Sequence, residues 1–594
     1  MSADKPALEA PKMDRAETAI ERDHQFDASS GINLTILSTI QIENLVTLGK
    51  VWGFLKYHHS RVTSGEYHWD YELFRVLPAI LAAHDHASAN GALEDWIAKL
   101  GAVDPCKPCA KLDESDLQLR PDLDWIGNAA LLGADLSQSL RWIRDNRAPG
   151  RQFYVSKVPQ IGNPSFDHEL VYPDIKLPDA GYQLLGLYRF WNVVEYWSPD
   201  RDLVGDDWNG VLAEFIPRIA LASSADSYRR EALALVAKAH DGHANVWNSL
   251  NARPPVGECR VPVNIRFLDN LPVVSGVFPT ADPKQLGGLT TGDFITEIAD
   301  IPVARLIKSW EPYYAASNEA ARFSHIGYFM TRGDCGEVEI GVRREGVDKK
   351  PVELKLKVQR TTPSNSAAGT AAHDLPGPTF RLLSKDIAYL KLSSVKAGEG
   401  AHYVEQSAGT KGLIIDIRNY PSSFMVFALG SLLVDREAQF ARFTSSDLSN
   451  PGAFHWTVPQ SLSPQQPHYF GKVVILVDET SMSQAEYTAM AFRSAPGAIV
   501  VGSTTAGTDG NVSPFPLPGD LRAMISGLGV FYPDKTPTQR IGIVPNVVAR
   551  PTIAGIRAGR DEVLEEALRQ ILGSGTSTAE IEKMAQPADA VPQQ

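Results

Sequence analysis

Cysteine is scarce in this chain: 4 in 594 residues, Cys106 and Cys109 in DPCKPCA, Cys259 in VGECRV and Cys335 in RGDCGEV. That excludes a disulfide-dense scaffold, and one CxxC without a second pair or a nearby His pair makes a poor zinc site. The positions leave room for bridges 106–109 and 259–335, which need an oxidising compartment, or for free buried thiols. Basic charge is also short, with 57 Lys and Arg against 70 Asp and Glu, a net charge of -13 and no long basic run, so a nucleic-acid partner is not expected. No apolar run reaches the roughly 18 residues of a membrane span. The opening MSADKPALEAPKMDRAETAIERD lacks the apolar core of a secretory signal. The expectation is an exported protein whose leader has been removed, or a cytoplasmic one if this N-terminus is native.

What is present is a globular composition, 43% hydrophobic with 46 Gly and 40 Pro, on a length that suggests several domains. LGKVWGFLKYHHS can be set over LYRFWNVVEYWSP, and WDYELFRVLPAI over WNGVLAEFIPRI. Trp52 then meets Trp191, Tyr57 meets Tyr196, Trp69 meets Trp208 and Pro78 meets Pro217 at a constant offset of 139 residues. Apolar residues at helical spacing make each copy a helical unit whose aromatic stripe belongs to a core. From 262 the pattern turns to short β-like segments, VPVNIRF, LPVVSGVF, DFITEIADIPV, VEIGVRR and VELKLKVQR. TTPSNSAAGTAAHDLPGPT at 361–379 has linker composition. Beyond 380, continuous apolar strands such as KGLIIDIRN and KVVILVD alternate with helical FMVFALGSLLV and AEYTAMAFRSA, the mark of an α/β sheet with covered faces.

At 477–486 the chain reads VDETSMSQAE, a polar turn between an apolar strand and a helical pattern. Such a turn can expose a reactive hydroxyl at the end of a strand, and both Ser481 and Ser483 qualify. It is equally an ordinary helix start, since Ser483 and Glu486 have capping-box spacing.

GGLTTGDFITEI resembles the signature of a PDZ domain at Gly288, Leu289, Gly292, Asp293 and Ile295. The ordered set DIRNYPSS, SMSQAE, VVGSTTAG and FYPDKTPTQRIGIVPNVV, with the closing GRDEVLEEAL helix, resembles the C-terminal processing, or tail-specific, protease family. That family joins a PDZ domain to an α/β domain related to the crotonases, and the likeness spans about 235–572. It selects Ser483 as nucleophile, with Glu486 completing its Ser-x-x-Glu turn. The lysine base of one branch is missing, because the matching turn carries Thr508 and Asp509. The branch that resembles the tricorn core takes its base from an Asp-Gly-His signature, here Asp241, Gly242 and His243, with His240 a neighbouring competitor. A neutral imidazole suits proton abstraction from a hydroxyl at neutral pH. The Glu that orients the histidine in that branch falls on Gln539, an amide, which leaves Glu486 as another source of charge. Backbone N–H groups of Ser422 or Ser423 and of Gln484 would form the oxyanion hole.

The internal repeat and the resemblance together imply a multidomain α/β protein: a duplicated helical region from the repeat, and from the resemblance a PDZ-like β-rich domain and a crotonase/ClpP-like α/β catalytic domain. The expected divisions are a polar tail (1–30), the first helical copy with its connector (31–165), and a second copy carrying Asp-Gly-His (166–255). A PDZ-like domain (256–360), a linker (361–379), the peptidase domain (380–575) and a polar C-terminal tail (576–594) follow. The implied activity is a serine endopeptidase acting on peptides or unfolded segments through an acyl-enzyme, with no metal or organic cofactor. The alternatives are an inactive protease-fold binding protein or a hydrolase of non-peptide esters and amides. Oligomeric state and substrate-binding residues are not legible in the sequence.

Overall fold

A computed structural model describes residues 17–205, 207–345, 350–363 and 373–586 of a mixed α/β, multidomain protein. Three helices, α1 (Thr39–His58), α2 (Trp69–Ala82) and α3 (His86–Leu100), form the first copy of the repeat. Their counterparts α4 (Ala180–Trp197), α5 (Trp208–Ala220) and α6 (Ala225–Ala237) form the second. The third helix of each copy begins 139 residues apart, so the duplication extends past the matched aromatic blocks. Within the first copy, the Trp52 and Trp69 indoles each donate to the other's carbonyl at 3.3 and 3.2 Å. Trp191 and Trp208 repeat this at 2.8 and 3.3 Å. Buried indoles need such partners, which fixes the helix pairing in both copies alike.

Equivalent positions also meet across the copies: Tyr57 and Tyr196 touch edge to face at 5.4 Å, and Gly49 and Gly53 lie against Tyr188 and Asn192. An approximate two-fold axis therefore runs between α1 and α4. Around it, buried Lys56, Asp70, Glu169 and Arg189 satisfy one another as two cations and two anions. Residues 17–30, expected within a polar tail, are folded onto this unit: the Tyr71 and Tyr182 hydroxyls bond Asp27 and the Phe26 carbonyl, and Asp179 accepts from Ser29 and Ser30.

After β1 (Asn245–Val246) comes the β-rich domain: β2 (Val263–Leu268), β3 (Leu271–Val277), β4 (Phe294–Ile298), β5 (Gly336–Glu345) and β6 (Pro351–Arg360). They pair antiparallel in the order β6-β5-β4-β3-β2. Helix α7 (Glu319–Phe329) runs beside the edge strand β2, with Phe323 stacked on Phe267. All four cysteines are oxidised, as Cys106–Cys109 and Cys259–Cys335, and the second bridge fastens the entry of this domain to the start of β5.

The remaining chain builds β7 (Phe380–Ser384), β8 (Ile387–Lys391), β9 (Gly412–Asp416), β10 (Lys472–Val477), β11 (Ile499–Gly502) and β14 (Val547–Val548) into one sheet, parallel from β8 onward. Period-two alternation divides its apolar residues between two cores. Ile415 and Ile475 face helix α8 (Gln484–Phe492), whereas Ile414 and Val474 face α9 (Glu562–Leu572). The polar C-terminal stretch from 576 holds a further short helix, Thr578–Met584, whose Ile581 is buried in the second of these cores.

The hairpin β12 (Val512–Leu517) and β13 (Leu521–Ser526) leaves this domain to pair with β1. Its Phe515, Leu517, Leu521, Ala523 and Ile525 belong to the core of the helical repeat. The second copy is thereby docked on the parallel-sheet domain by both strand pairing and apolar burial. Among the described residues no helix is long and apolar enough to cross a membrane.

Candidate active site

β10 ends at Val477, and the turn that follows separates its two serines by their bonding. Ser481 is fully buried: its hydroxyl accepts the Asp478 N–H (3.1 Å) and donates to the Ile417 carbonyl (2.9 Å), which closes the turn onto the neighbouring strand. Ser483 is only half-buried and sits at φ 56°, ψ -121° as the N-cap of α8. A non-glycine residue there stores backbone strain, a feature concentrated at functional strand-to-helix turns. The strain is held by the Ser483 N–H, which donates to the Thr508 carbonyl (2.6 Å) and the Glu486 carboxylate (3.1 Å).

Glu486 is fully buried and also accepts from the Gly507 and Thr508 N–H groups (2.8 and 2.9 Å) and the Thr505 hydroxyl. It clamps the Ser483 turn to the 505–508 turn. Burial pushes its pKa up to about 7 against the pull of these donors. Asp509, the neighbour of Thr508 where a lysine was sought, is an acid whose carboxyl is pushed well up by burial and by the nearby Glu486 charge. One of its oxygens accepts the Gly510 N–H and the other has no partner. No cationic base can act from that position.

His243 arrives from the helical repeat. After α6 the chain reverses at His240 (φ 47°), makes the Asp241–Gly242–His243 turn and enters β1. Gly242 is required by contact: a Cβ there would lie 2.2 Å from the Thr508 hydroxyl. The Gly242 N–H donates to the Ser317 hydroxyl (2.9 Å), which bonds that of Thr508 (2.8 Å). Thr508 thus joins the two halves of the site, its carbonyl taking the Ser483 N–H and its side chain packing on the histidine turn. His240 instead lines a cavity of about 10 Å³ with Asp200 and Gln539.

The His243 ring is buried, and Nδ1 lies 2.9 Å from the Ser526 hydroxyl on β13. Burial pushes the imidazole below its ordinary pKa, and the Asp241 charge opposes that push. Gln539, expected to orient the ring, does not touch it: its Nε2 donates to Asp241 (3.3 Å) and Ser317 (3.4 Å), and its Oε1 accepts the Asp509 N–H (3.3 Å). Glu486 is occupied by the two turns and supplies no bond to the ring.

On the other side of Ser483, the loop after β9 is anchored by buried Arg418, which bonds Asp416 and Asp561. The Ser422 N–H is taken by the Leu392 carbonyl (2.9 Å), which removes it as an oxyanion donor. Ser423 and Gln484 keep N–H groups without a partner among the described residues, and the Gln484 side chain bonds the Ser423 carbonyl (3.0 Å), holding the two segments together. Phe424 is exposed beside them and stacks on Tyr487.

One group of side chains has the composition of a cation site: His373, Asp478 and Glu479. Its carboxylates are already engaged, because Arg266 of β2 bonds Glu479 (2.8 and 3.1 Å) and Asp478 (3.2 Å), and the His373 ring bonds Asp478. The group lies at one end of a 910 Å³ cavity bounded by β2, α7 and the turns after β10 and β11. Sequence reasoning missed Ser317 and Ser526, named Thr508 only for the lysine absent from its turn, and gave Asp241 no role of its own. Only Asp241, inside the Asp-Gly-His signature, carried a local signal.

Residues 386–549 match the peptidase family S41 profile. Among solved structures, mature CPAF shares the fold at 14% identity and a TM-score of 0.51, covering 67% of this chain and 99% of that one. Mature CPAF complexed with lactacystin does so at 13% and 0.50, over 66% and 97%. No curated protein matches the sequence. The parallel sheet and the family match fall on the same stretch, and residues 386–549 are similar to peptidase family S41 within a larger mixed α/β protein.

Proposed function

We propose that the protein is a serine endopeptidase that cleaves peptides or unfolded protein segments through an acyl-enzyme. The observation that carries this reading is the strained Ser483 at the head of α8, joined through Thr508 to the turn that delivers His243. Ser483 Oγ attacks the scissile carbonyl carbon while His243 Nε2 takes the hydroxyl proton. The carbonyl oxygen, now negative, is received by the Ser423 and Gln484 N–H groups. Collapse breaks the C–N bond, and His243 returns the proton to the leaving amine. Water then attacks the ester, gives its proton to His243, and Ser483 leaves with that proton. No step calls for a metal or an organic cofactor.

The 910 Å³ cavity beside the edge of β2, which has no strand partner among the described residues, suits an extended peptide added as a further strand, the binding mode of the PDZ-like module suggested by sequence. The two disulfides favour an exported protein. A second reading, a binding protein on an inactive protease fold, is favoured by the amide at Gln539 and the acid at Asp509. Fluorophosphonate labelling separates the two. The wild type is expected to be labelled and to hydrolyse unstructured peptides, with both lost in Ser483→Ala and turnover lost in His243→Ala. An unlabelled wild type under conditions that label other serine hydrolases sinks the catalytic reading.

A further inference from the structure

We propose that Ser526 and Asp241 are the positioning residues of His243, a hydroxyl-bridged relay that holds the ring with Nε2 toward the substrate, and that Gln539 acts only by holding Asp241. The inference rests on the reading of Ser483 and His243 as nucleophile and base.

Donor arithmetic fixes the arrangement. Asp241 is buried, and its carboxylate accepts the Ser526 N–H at Oδ2 (2.6 Å), with the Ser526 hydroxyl (2.9 Å), the His243 N–H (2.9 Å) and the Gln539 amide (3.3 Å) all at Oδ1. An ionised carboxylate only accepts, so the Ser526 proton points to Asp241. The Ser526 oxygen then has only lone pairs left for His243 Nδ1, 2.9 Å away, and Nδ1 must be the donor. The neutral ring is held as the Nδ1–H tautomer, with its Nε2 lone pair free to act as base. When Nε2 takes the serine proton, the imidazolium faces the Asp241 charge through one hydroxyl, and no proton need leave Nδ1.

Two features show that the relay is built rather than incidental. Ser526 grips Asp241 with both its N–H and its hydroxyl, and it is the last residue of β13, the strand that pairs with β1 directly after His243. Strand pairing therefore sets the distance between ring and hydroxyl. Gln539 suits this site better than a glutamate: its Nε2 donates to Asp241, whereas a second carboxylate would face Asp241 with no donor between them. Asp200 and Asp509 already place further acidic groups near this corner.

The test compares Asp241→Asn, Ser526→Ala, Ser526→Thr and Gln539→Glu in the full-length protein, by peptide turnover and by ¹⁵N-histidine NMR of the His243 ring. kcat is expected to fall about 10²–10³-fold in Asp241→Asn and about 10–100-fold in Ser526→Ala, with KM little changed. Ser526→Thr, which keeps the hydroxyl, stays within about fivefold of wild type, and Gln539→Glu loses activity rather than gaining it. In the spectrum, wild type shows one Nδ1–H tautomer that becomes mixed in Ser526→Ala, a readout needing neither turnover nor Ser483. If turnover is present but unchanged in Asp241→Asn and Ser526→Ala, the relay is wrong while the peptidase stands. An inactive, unlabelled wild type sinks the peptidase, and the tautomer comparison then decides the relay alone. An Nε2–H tautomer in wild type, or a tautomer indifferent to Ser526→Ala, overturns it.

Discussion

The two copies of the helical repeat share three helices, a pair of reciprocal tryptophan bonds and a fixed offset, yet only the second reaches the proposed active site. Two of the places where they diverge bear on this difference. At the axis between the copies, identical large side chains would collide, and the conflict is resolved by asymmetry: Gly49 faces Tyr188 and Gly53 faces Asn192, each pair being equivalent positions. At the end of the third helix, the first copy continues through Gly101, Ala102, Val103 and Asp104, whereas the second has His240, Asp241, Gly242 and His243. The β12–β13 hairpin docks against that second end and supplies Ser526. Of two similar scaffolds, the one packed against the parallel-sheet domain is the one that contributes to the proposed site.

The sharpest way to break this comparison is to give the second copy the residue of the first. Gly242→Val places a side chain where a Cβ already lies 2.2 Å from the Thr508 hydroxyl, so the histidine turn must move away from Ser483. Peptide turnover is expected to drop roughly 100-fold or more, the scale of an ångström-sized misplacement. Val103→Gly, at the equivalent position, leaves turnover unaltered.

The axis is tested next. Gly53→Asn forces two amides into one space, with the first Cβ only 1.7 Å from Asn192 Oδ1, and is expected to cost about 3 kcal/mol in urea unfolding. Exchanging the pair, Gly53→Asn with Asn192→Gly, should recover most of that loss, as an approximate two-fold demands. A double variant no more stable than the single would show that the copies are not interchangeable at the axis.

A smaller effect separates Arg61 from its equivalent, Asp200. Arg61 makes an exposed pair with Glu66, while Asp200 is buried with neither carboxylate oxygen partnered, and burial holds its carboxyl well above the ordinary 3.8. The folded state then retains a proton that the unfolded chain releases, so stability from this group falls as pH rises from 3.8 toward the folded value. Asp200→Asn should remove that slope, with a stabilisation over wild type that grows across this window in thermal unfolding. Arg61→Gln should leave the midpoint unmoved at every pH, since such surface pairs contribute little.

Much of this organisation was legible in sequence because it rests on local periodicity. The tryptophan register, the apolar strands and the strand–turn–helix around Ser483 are each set by neighbours within a few residues. The third helix of the repeat escaped notice because its copies, HASANGALEDWIAKL and ADSYRREALALVA, share a starting register and a burial pattern more than an identity. Gln539 was read as the partner of His243 from its place before the final strand, but that place puts the amide against Asp241. The choice between Ser422 and Ser423 could not be made without knowing that Leu392 claims one N–H.

By itself the sequence determined the duplicated helices, the β-rich insert, the parallel sheet and Ser483 at the end of β10, all consequences of side-chain period and turn chemistry. Only the tertiary structure decided what stands behind the histidine. Asp241 lies two residues from His243 and Ser526 lies 283, and nothing local to either stretch requires them to meet. They do so because β13 must pair with β1 and bury its apolar face in the repeat's core.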